Sequence, residues 1–245
     1  MTRNNKKPSN YFIFGKHPVI EALKNDKRQV KEVFVTANVL KALGDELKGY
    51  RYQVVENKVL DKLLQNPDAN HQGIAIRVAR LSGDSLKDII TSSGDTEQHK
   101  IIALDQITDP HNFGAILRTA SAFGMDAVIT TKDNAVQDNA IVAKTACGAL
   151  EHLNICYVSN LSQSLDLLKE NGYWVIGMDA NSDVMVGKLS EYKKICLVMG
   201  AEGAGLRKLT KESCDLLVKI PIKTRVDSLN VSNAAAIAMY EITKV

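Results

Sequence analysis

Between Lys100 and the C-terminus the chain carries six short apolar runs: Ile101–Leu104, Ala127–Thr131, Ile155–Val158, Trp174–Met178, Ile195–Met199 and Leu216–Ile220. A strand with one wet face alternates apolar and polar residues, and these runs do not. They must be covered on both faces, which is the condition of a parallel sheet clad in helices. Helical patterns separate several of them, at Phe113–Phe123, Asn139–Cys147, Leu161–Glu170 and Ser232–Ile242. The fold class is therefore α/β, with a parallel-sheet domain over residues 100–245. Ligands of such sheets gather beyond the carboxyl ends of the strands.

A smaller alternating unit precedes it at residues 11–79. Helices are predicted at His17–Leu23, Val39–Tyr50 and Lys58–Leu64, and strands at Lys31–Val35, Tyr52–Val55 and Ile74–Ala79. Residues 80–99 collect Ser, Gly, Asp and Thr and read as a linker, with a helical turn at Leu86–Ile90. Residues 1–10 read as a basic flexible tail.

The formal charge of +3 hides an asymmetry. Residues 1–31 hold eight Lys/Arg against Glu21 and Asp26, a local +6, so the remainder carries −3. Either a polyanion contacts this end, or the tail is a solubilising one. No apolar run approaches the roughly 18 residues of a membrane helix, and the start lacks a secretory apolar segment. The expected location is the cytoplasm, with no membrane contact. Cys147, Cys156, Cys196 and Cys214 show no C-x-x-C spacing, so no metal is expected and buried reduced thiols are.

Three segments of the larger domain carry candidate chemistry. In LDQITDPHNFGAILRTASAFG (104–124), Asp109-Pro110 turns the chain and Asn112 is placed to cap the next helix, which presents Arg118. Arg118 reads as an anion contact or as a surface arginine. In ICLVMGAEGAGLRKLT (195–210), a buried strand enters a loop with Gly200, Gly203 and Gly205, then a helix from Leu206. The spacing is not that of a dinucleotide fingerprint or a P-loop, and Glu202 would repel a pyrophosphate. That loop is a ligand contact or a plain turn. In IPIKTRVDSLNVSNAAAIAMYE (220–241), Ser228, Asn230 and Ser232 lead into an alanine-rich helix.

Together, in this order and separation, the three segments resemble the signature motifs of the SpoU/TrmH family of RNA 2′-O-ribose methyltransferases. FGKHPVIEAL (14–23) and NHQGIA (70–75) resemble the small N-terminal domain of its 23S rRNA guanosine branch. The resemblance runs from Phe12 onward. It implies a knotted, SPOUT-type (trefoil) methyltransferase domain behind an α/β substrate-binding domain, a homodimer, and S-adenosylmethionine as cofactor. Cofactor contacts fall on Met199, Gly200, Ile220, Ile222, Leu229 and Asn230, and the catalytic polar set on Asn112, Arg118, Glu202, Ser228 and Asn230. Thr224 stands where the family usually has Gly, which bears on the adenosine pocket.

The implied reaction moves a methyl group onto a ribose 2′-oxygen. It needs alignment and help with a weakly acidic proton. A guanidinium keeps its proton in proteins, so Arg118 is expected to hold a phosphate and stabilise alkoxide charge rather than act as base. Glu202 and Asn112 are expected to hold Arg118 and the ribose. In the N-terminal domain Arg3, Lys6, Lys7, Lys16 and His17 are the RNA-contact candidates. Tyr11 and Phe12 could stack on a base or belong to the core, and His71 is a turn residue or an RNA contact. Alternatives are a tRNA substrate, a non-catalytic RNA-binding factor, and an oxidoreductase disfavoured by its glycine spacing.

Overall fold

A computed structural model describes residues 10–66, 69–94, 98–187, 189–223 and 228–244. Its elements run β1 (Asn10–Phe14), α1 (Lys16–Lys24), β2 (Val30–Val35), α2 (Ala37–Leu43), β3 (Gln53–Val54), α3 (Asn57–Leu64) and β4 (Ile74–Ala79). There follow α4 (Leu86–Ser92), β5 (His99–Leu104), α5 (Pro110–Ala122), β6 (Ala127–Thr131), α6 (Ala140–Ala146) and β7 (Asn154–Val158). The chain ends with α7 (Leu161–Glu170), β8 (Trp174–Met178), β9 (Lys194–Met199), α8 (Lys208–Glu212), β10 (Leu216–Val218) and α9 (Val231–Thr243).

The described residues form two compact units. One takes those within Met1–Ser82 together with Asp138–His152, and the other takes Gly83–Gln137 and Leu153–Val245. This division differs from one drawn along the sequence. Residues 138–152, which lie inside the larger domain's sequence, belong to the first unit. The stretch read as a linker holds α4, whose Ile89 is buried in the core of the second unit.

In the first unit four strands lie in the order β1-β4-β2-β3. Strand β4 pairs antiparallel with both β1 and β2, and its Ile74, Ala75, Ile76 and Val78 are fully buried. Strand β1 was not expected from the sequence; its five residues pair with β4 from Asn10–Ala79 to Phe14–Ala75. The helix expected over Val39–Tyr50 stops at Leu43, and turns follow Gly44. Tyr11 and Phe12 are engaged within this unit. The Tyr11 hydroxyl donates to Asp138 Oδ2 at 3.2 Å, and the Phe12 ring tilts against Phe34. His71 is buried, accepting from the Gly73 N–H and facing Asp61 Oδ1 at 3.1 Å, which is the turn role.

Arg28, one of the eight basic residues within 1–31, is buried, its side chain fully inaccessible. Its guanidinium donates to Glu151 through Nε (3.0 Å) and Nη2 (2.6 Å), and through Nη1 to Asp138 Oδ2 (3.2 Å) and the Ala79 carbonyl (2.9 Å). Burial works against the charged form, but the Glu151 bonds and the two carboxylates push the Arg28 pKa up. In the same cluster burial, with Asp138 next, pushes the Tyr11 phenol up.

In the second unit six strands, all parallel, lie in the order β10-β8-β9-β5-β6-β7. Ile101, Leu104, Val128, Ile129, Ile195 and Leu197 are completely inaccessible, as two-sided apolar runs require. Helix α9 packs against α5 and β9. Its Ala235 and Ala238 are fully buried, so small side chains set that close approach. Cys156 and Cys196 lie in the core, and burial pushes the Cys156 thiol up to about 11. Cys147 departs from the buried-thiol reading: it is exposed, ending α6 in a left-handed conformation (φ 52°). No helix among the described residues is long and apolar enough to cross a membrane.

Candidate active site

The site forms beyond the carboxyl ends of β5, β8, β9 and β10, where three distant segments meet. Helix α5 begins differently from the expectation. Asp109 is the N-cap, accepting from the His111 N–H at 2.7 Å, with Pro110 in the first turn where a missing N–H costs nothing. Asn112 is therefore free of capping, and its side chain turns to the next segment.

Asn112 Nδ2 donates to Glu202 Oε2 at 3.1 Å. Asn230 Nδ2 donates to Asn112 Oδ1 at 2.9 Å and lies 3.4 Å from Glu202 Oε1. Asn230 Oδ1 accepts from the Ser232 N–H (2.9 Å) and hydroxyl (2.6 Å), which caps α9. One carboxylate thus receives two amides from segments before and after it in sequence. Asn112 is buried, while Glu202 and Asn230 are exposed, so the cluster has one face open to solvent.

The loop after β9 is bent tightly enough to dictate its glycines. A Cβ on Gly200 would lie 2.2 Å from the Gly205 carbonyl carbon and 2.3 Å from the Leu206 nitrogen. Gly200 is required by the loop closing on itself, where Ala201 and Gly205 exchange backbone hydrogen bonds of 3.1 and 2.9 Å. Gly203 and Gly205 hold φ of 78° and 69°, a region that suits glycine. The helix expected from Leu206 starts at Lys208.

Beside this loop lies an open cavity of about 210 Å³. Its lining brings together Met199, Gly200, Glu202, Ile220, Ile222, Ser228 and Leu229 from the expected set. Ile222 and Leu229 are 38% and 36% exposed, apolar groups uncovered on the cavity side. Sequence reasoning missed the opposite wall. There Asp179 pairs with Lys211 at 2.7 Å and accepts from the Asn181 N–H at 3.1 Å. Partial burial raises the Asp179 pKa, but the Lys211 hydrogen bond and the Asn181 N–H hold it below the usual carboxylate range. An aspartate directly after a buried strand was the available signal.

Arg118 is exposed on α5 and makes no hydrogen bond or ion pair among the described residues. Glu202 and Asn112 bind each other and Asn230 instead of holding it. Lys16 and His17 are exposed at the start of α1, with the Lys16 N–H donating to Gln72 Oε1 at 2.9 Å. Arg3, Lys6, Lys7 and Thr224 lie outside the described residues.

The pattern of the SpoU rRNA Methylase family matches residues 99–240, and that for RNA 2′-O ribose methyltransferase substrate binding matches residues 12–83. The chain is 40% identical to the 23S rRNA (guanosine-2′-O-)-methyltransferase RlmB of Photobacterium profundum, over 96% of this chain and 98% of that one. It is 39% identical to the RlmB of Vibrio parahaemolyticus, over 96% and 97%. Among solved structures, the SpoU methyltransferase AviRb of Streptomyces viridochromogenes, in complex with AdoMet, superposes with a TM-score of 0.82 at 23% identity, covering 99% of this chain and 93% of that one.

Proposed function

The chain belongs to the SpoU rRNA methylase family, and on that premise we propose that it transfers a methyl group from S-adenosylmethionine to the ribose 2′-hydroxyl of a guanosine in 23S rRNA. The observation that carries the reading is the Asn112–Glu202–Asn230 cluster at the rim of an amphipathic cavity.

The residues present fit the methyl donor. Uncovered Ile222 and Leu229, with the tightly turned backbone at 200–205, suit a flat purine. The charged Asp179–Lys211 wall suits the ends of a zwitterion. Met199, Gly200, Ile220, Ile222, Leu229 and Asn230 would hold it, and bound there it supplies an electrophilic methyl on a sulfonium. Asn112, Glu202, Ser228 and Asn230 orient the ribose, the fixed amides leaving the Glu202 carboxylate little freedom. Arg118, unpaired and exposed, holds a substrate phosphate and stabilises alkoxide charge, while the proton leaves to water or a phosphate oxygen.

The first unit is the RNA-holding part, with Lys16, His17 and the basic residues Arg3, Lys6 and Lys7 on phosphates. A homodimer is supported by the apolar groups that α5 and α9 leave uncovered, where Tyr240 (53% exposed) packs on Phe123 beside Ile237. A knot is supported by the return of the chain from edge strand β10, past the 200–205 loop, to α9 against β9. A cytoplasmic location is supported by the rRNA substrate that the relatives' names give.

The test is methyl transfer to large-subunit rRNA from cells lacking the protein, with the product mapped. A single 2′-O-methylguanosine is the expected product. Methylation confined to tRNA, or binding of S-adenosylmethionine without transfer, would refute the substrate or the activity respectively.

A further inference from the structure

A second cavity, of about 410 Å³, opens beyond the carboxyl ends of β5, β6 and β7, and the proposed function assigns nothing to it. It shares two segments with the site: Gln106 follows β5 just before α5, and Arg207 ends the loop that carries Glu202. Its walls mix neutral hydrogen-bonding groups with the charged Asp133, Arg207 and Lys208. The side chains of Gln106, Asn134, Ser159 and Ser162 make no hydrogen bond among the described residues, which leaves amide and hydroxyl groups open at one place.

Two of those residues hold an unusual backbone. Five described non-glycine residues have positive φ, and Gln106 (60°) and Asn134 (55°) are two of them. Gln65 and Cys147 end helices, and Gln72 leads into the turn at Gly73. Gln106 and Asn134 lie in the bends that follow β5 and β6, and those bends bring both side chains to this cavity.

Arg207 supplies the flat surface. Its Nε and Nη2 lie 2.7 Å from Oδ1 of the buried Asp105, and its own N–H donates to Oδ2 at 3.1 Å. These bonds fix the guanidinium plane, yet the side chain remains 47% exposed. Asp105 neutralises Arg207, Asp133 shares the wall, and Lys208 lies 3.9 Å from Glu212, so the cavity gathers little net positive charge. That balance disfavours a phosphate. A fixed guanidinium plane ringed by unpaired amides and hydroxyls is instead the chemistry that stacks and reads a nucleobase.

We infer that this cavity takes the base of a nucleotide next to the methylated one, stacked on Arg207 and hydrogen-bonded by Gln106 and Asn134. The inference rests on the RNA methyltransferase reading. Its test uses the full chain and a Gln106→Gly/Asn134→Gly variant; glycine suits both backbones and removes both amides. The substrate is a transcribed rRNA fragment containing the mapped nucleotide, remade with a single abasic position on either side of it. One abasic position should lower wild-type kcat/KM about tenfold. The variant should start about tenfold lower and lose nothing further there, with S-adenosylmethionine affinity unchanged. Equal losses by both proteins at every abasic position, or wild-type turnover by the variant, would overturn the base pocket alone. No transfer by the wild-type chain to any rRNA would instead overturn the methyltransferase reading beneath it.

Discussion

Two of the polar clusters that tie distant segments of this chain together do so by opposite means. In the first unit Arg28, Asp138 and Glu151 are all but inaccessible, and the guanidinium places four of its hydrogen bonds on protein oxygens. In the second, Asn112, Glu202 and Asn230 use amides against one carboxylate and keep an open face. Full charges buried and matched can do little but hold the fold. A half-used carboxylate at a cavity rim keeps capacity for a substrate. Burial, more than the presence of charge, separates the structural cluster from the one proposed to act on substrate.

Removing a partner tests the contrast most sharply at Arg28. Arg28→Met strands two buried carboxylates, and the expected loss is about 3–5 kcal/mol. The loss should fall on the first unit. Trp174, the chain's one tryptophan, lies on β8 in the second unit, so its fluorescence transition in urea should stay put while the far-UV circular dichroism signal gains an earlier step. A shift under ~1 kcal/mol would show that the cluster is solvated in solution. The same geometry means that deleting residues 1–97 also strands Asp138 and Glu151, so a truncation would not cleanly separate RNA binding from cofactor binding.

At the open cluster the expected result is reversed. Glu202→Gln should slow methyl transfer about a hundredfold, ~2.7 kcal/mol in the barrier, while the Trp174 transition moves by no more than ~0.5 kcal/mol. A large stability loss with proportionate activity loss would make Glu202 a structural residue and erase the contrast. Gly200→Ala should fall between the two. Its Cβ would sit 2.2 Å from the Gly205 backbone, so the loop must open; a calorimetric titration should show S-adenosylmethionine bound about tenfold more weakly, ~1.4 kcal/mol.

Sequence periodicity showed most of the second unit because its strands are apolar on both faces; β6, β8 and α7 fall where the pattern puts them. It failed where pairing across the chain decides. Strand β1 exists because β4 offers it a partner, and no local pattern in NYFIF says so. Likewise nothing local in Asp138–His152 says that its acids meet Arg28, more than a hundred residues earlier. At the site, Asn112, Glu202 and Asn230 were legible through the family resemblance, but their mutual bonds were not. Asp109-Pro110 did hold a readable clue: an aspartate before a first-turn proline is the better cap, which releases Asn112.

Asp179 and Lys211 offer an intermediate case, because the carboxylate side chain is 11% exposed and the lysine 34%. Its folded pKa lies below the usual range, so the pair's contribution is fully present above the unfolded carboxylate value of about 3.9 and fades as pH falls through the lower folded value. Partial exposure screens it, and the effect should stay below ~1 kcal/mol. Comparing the wild type with Asp179→Asn by urea unfolding, read at Trp174, should show a small stability gap at pH 6 that narrows as the pH falls below the unfolded carboxylate value of about 3.9. A gap that persists unchanged into acid would mean that attraction to the charge of Lys211 is not what Asp179 contributes. The pair would then belong with the neutral amides around Glu202 instead of with the buried ions around Arg28.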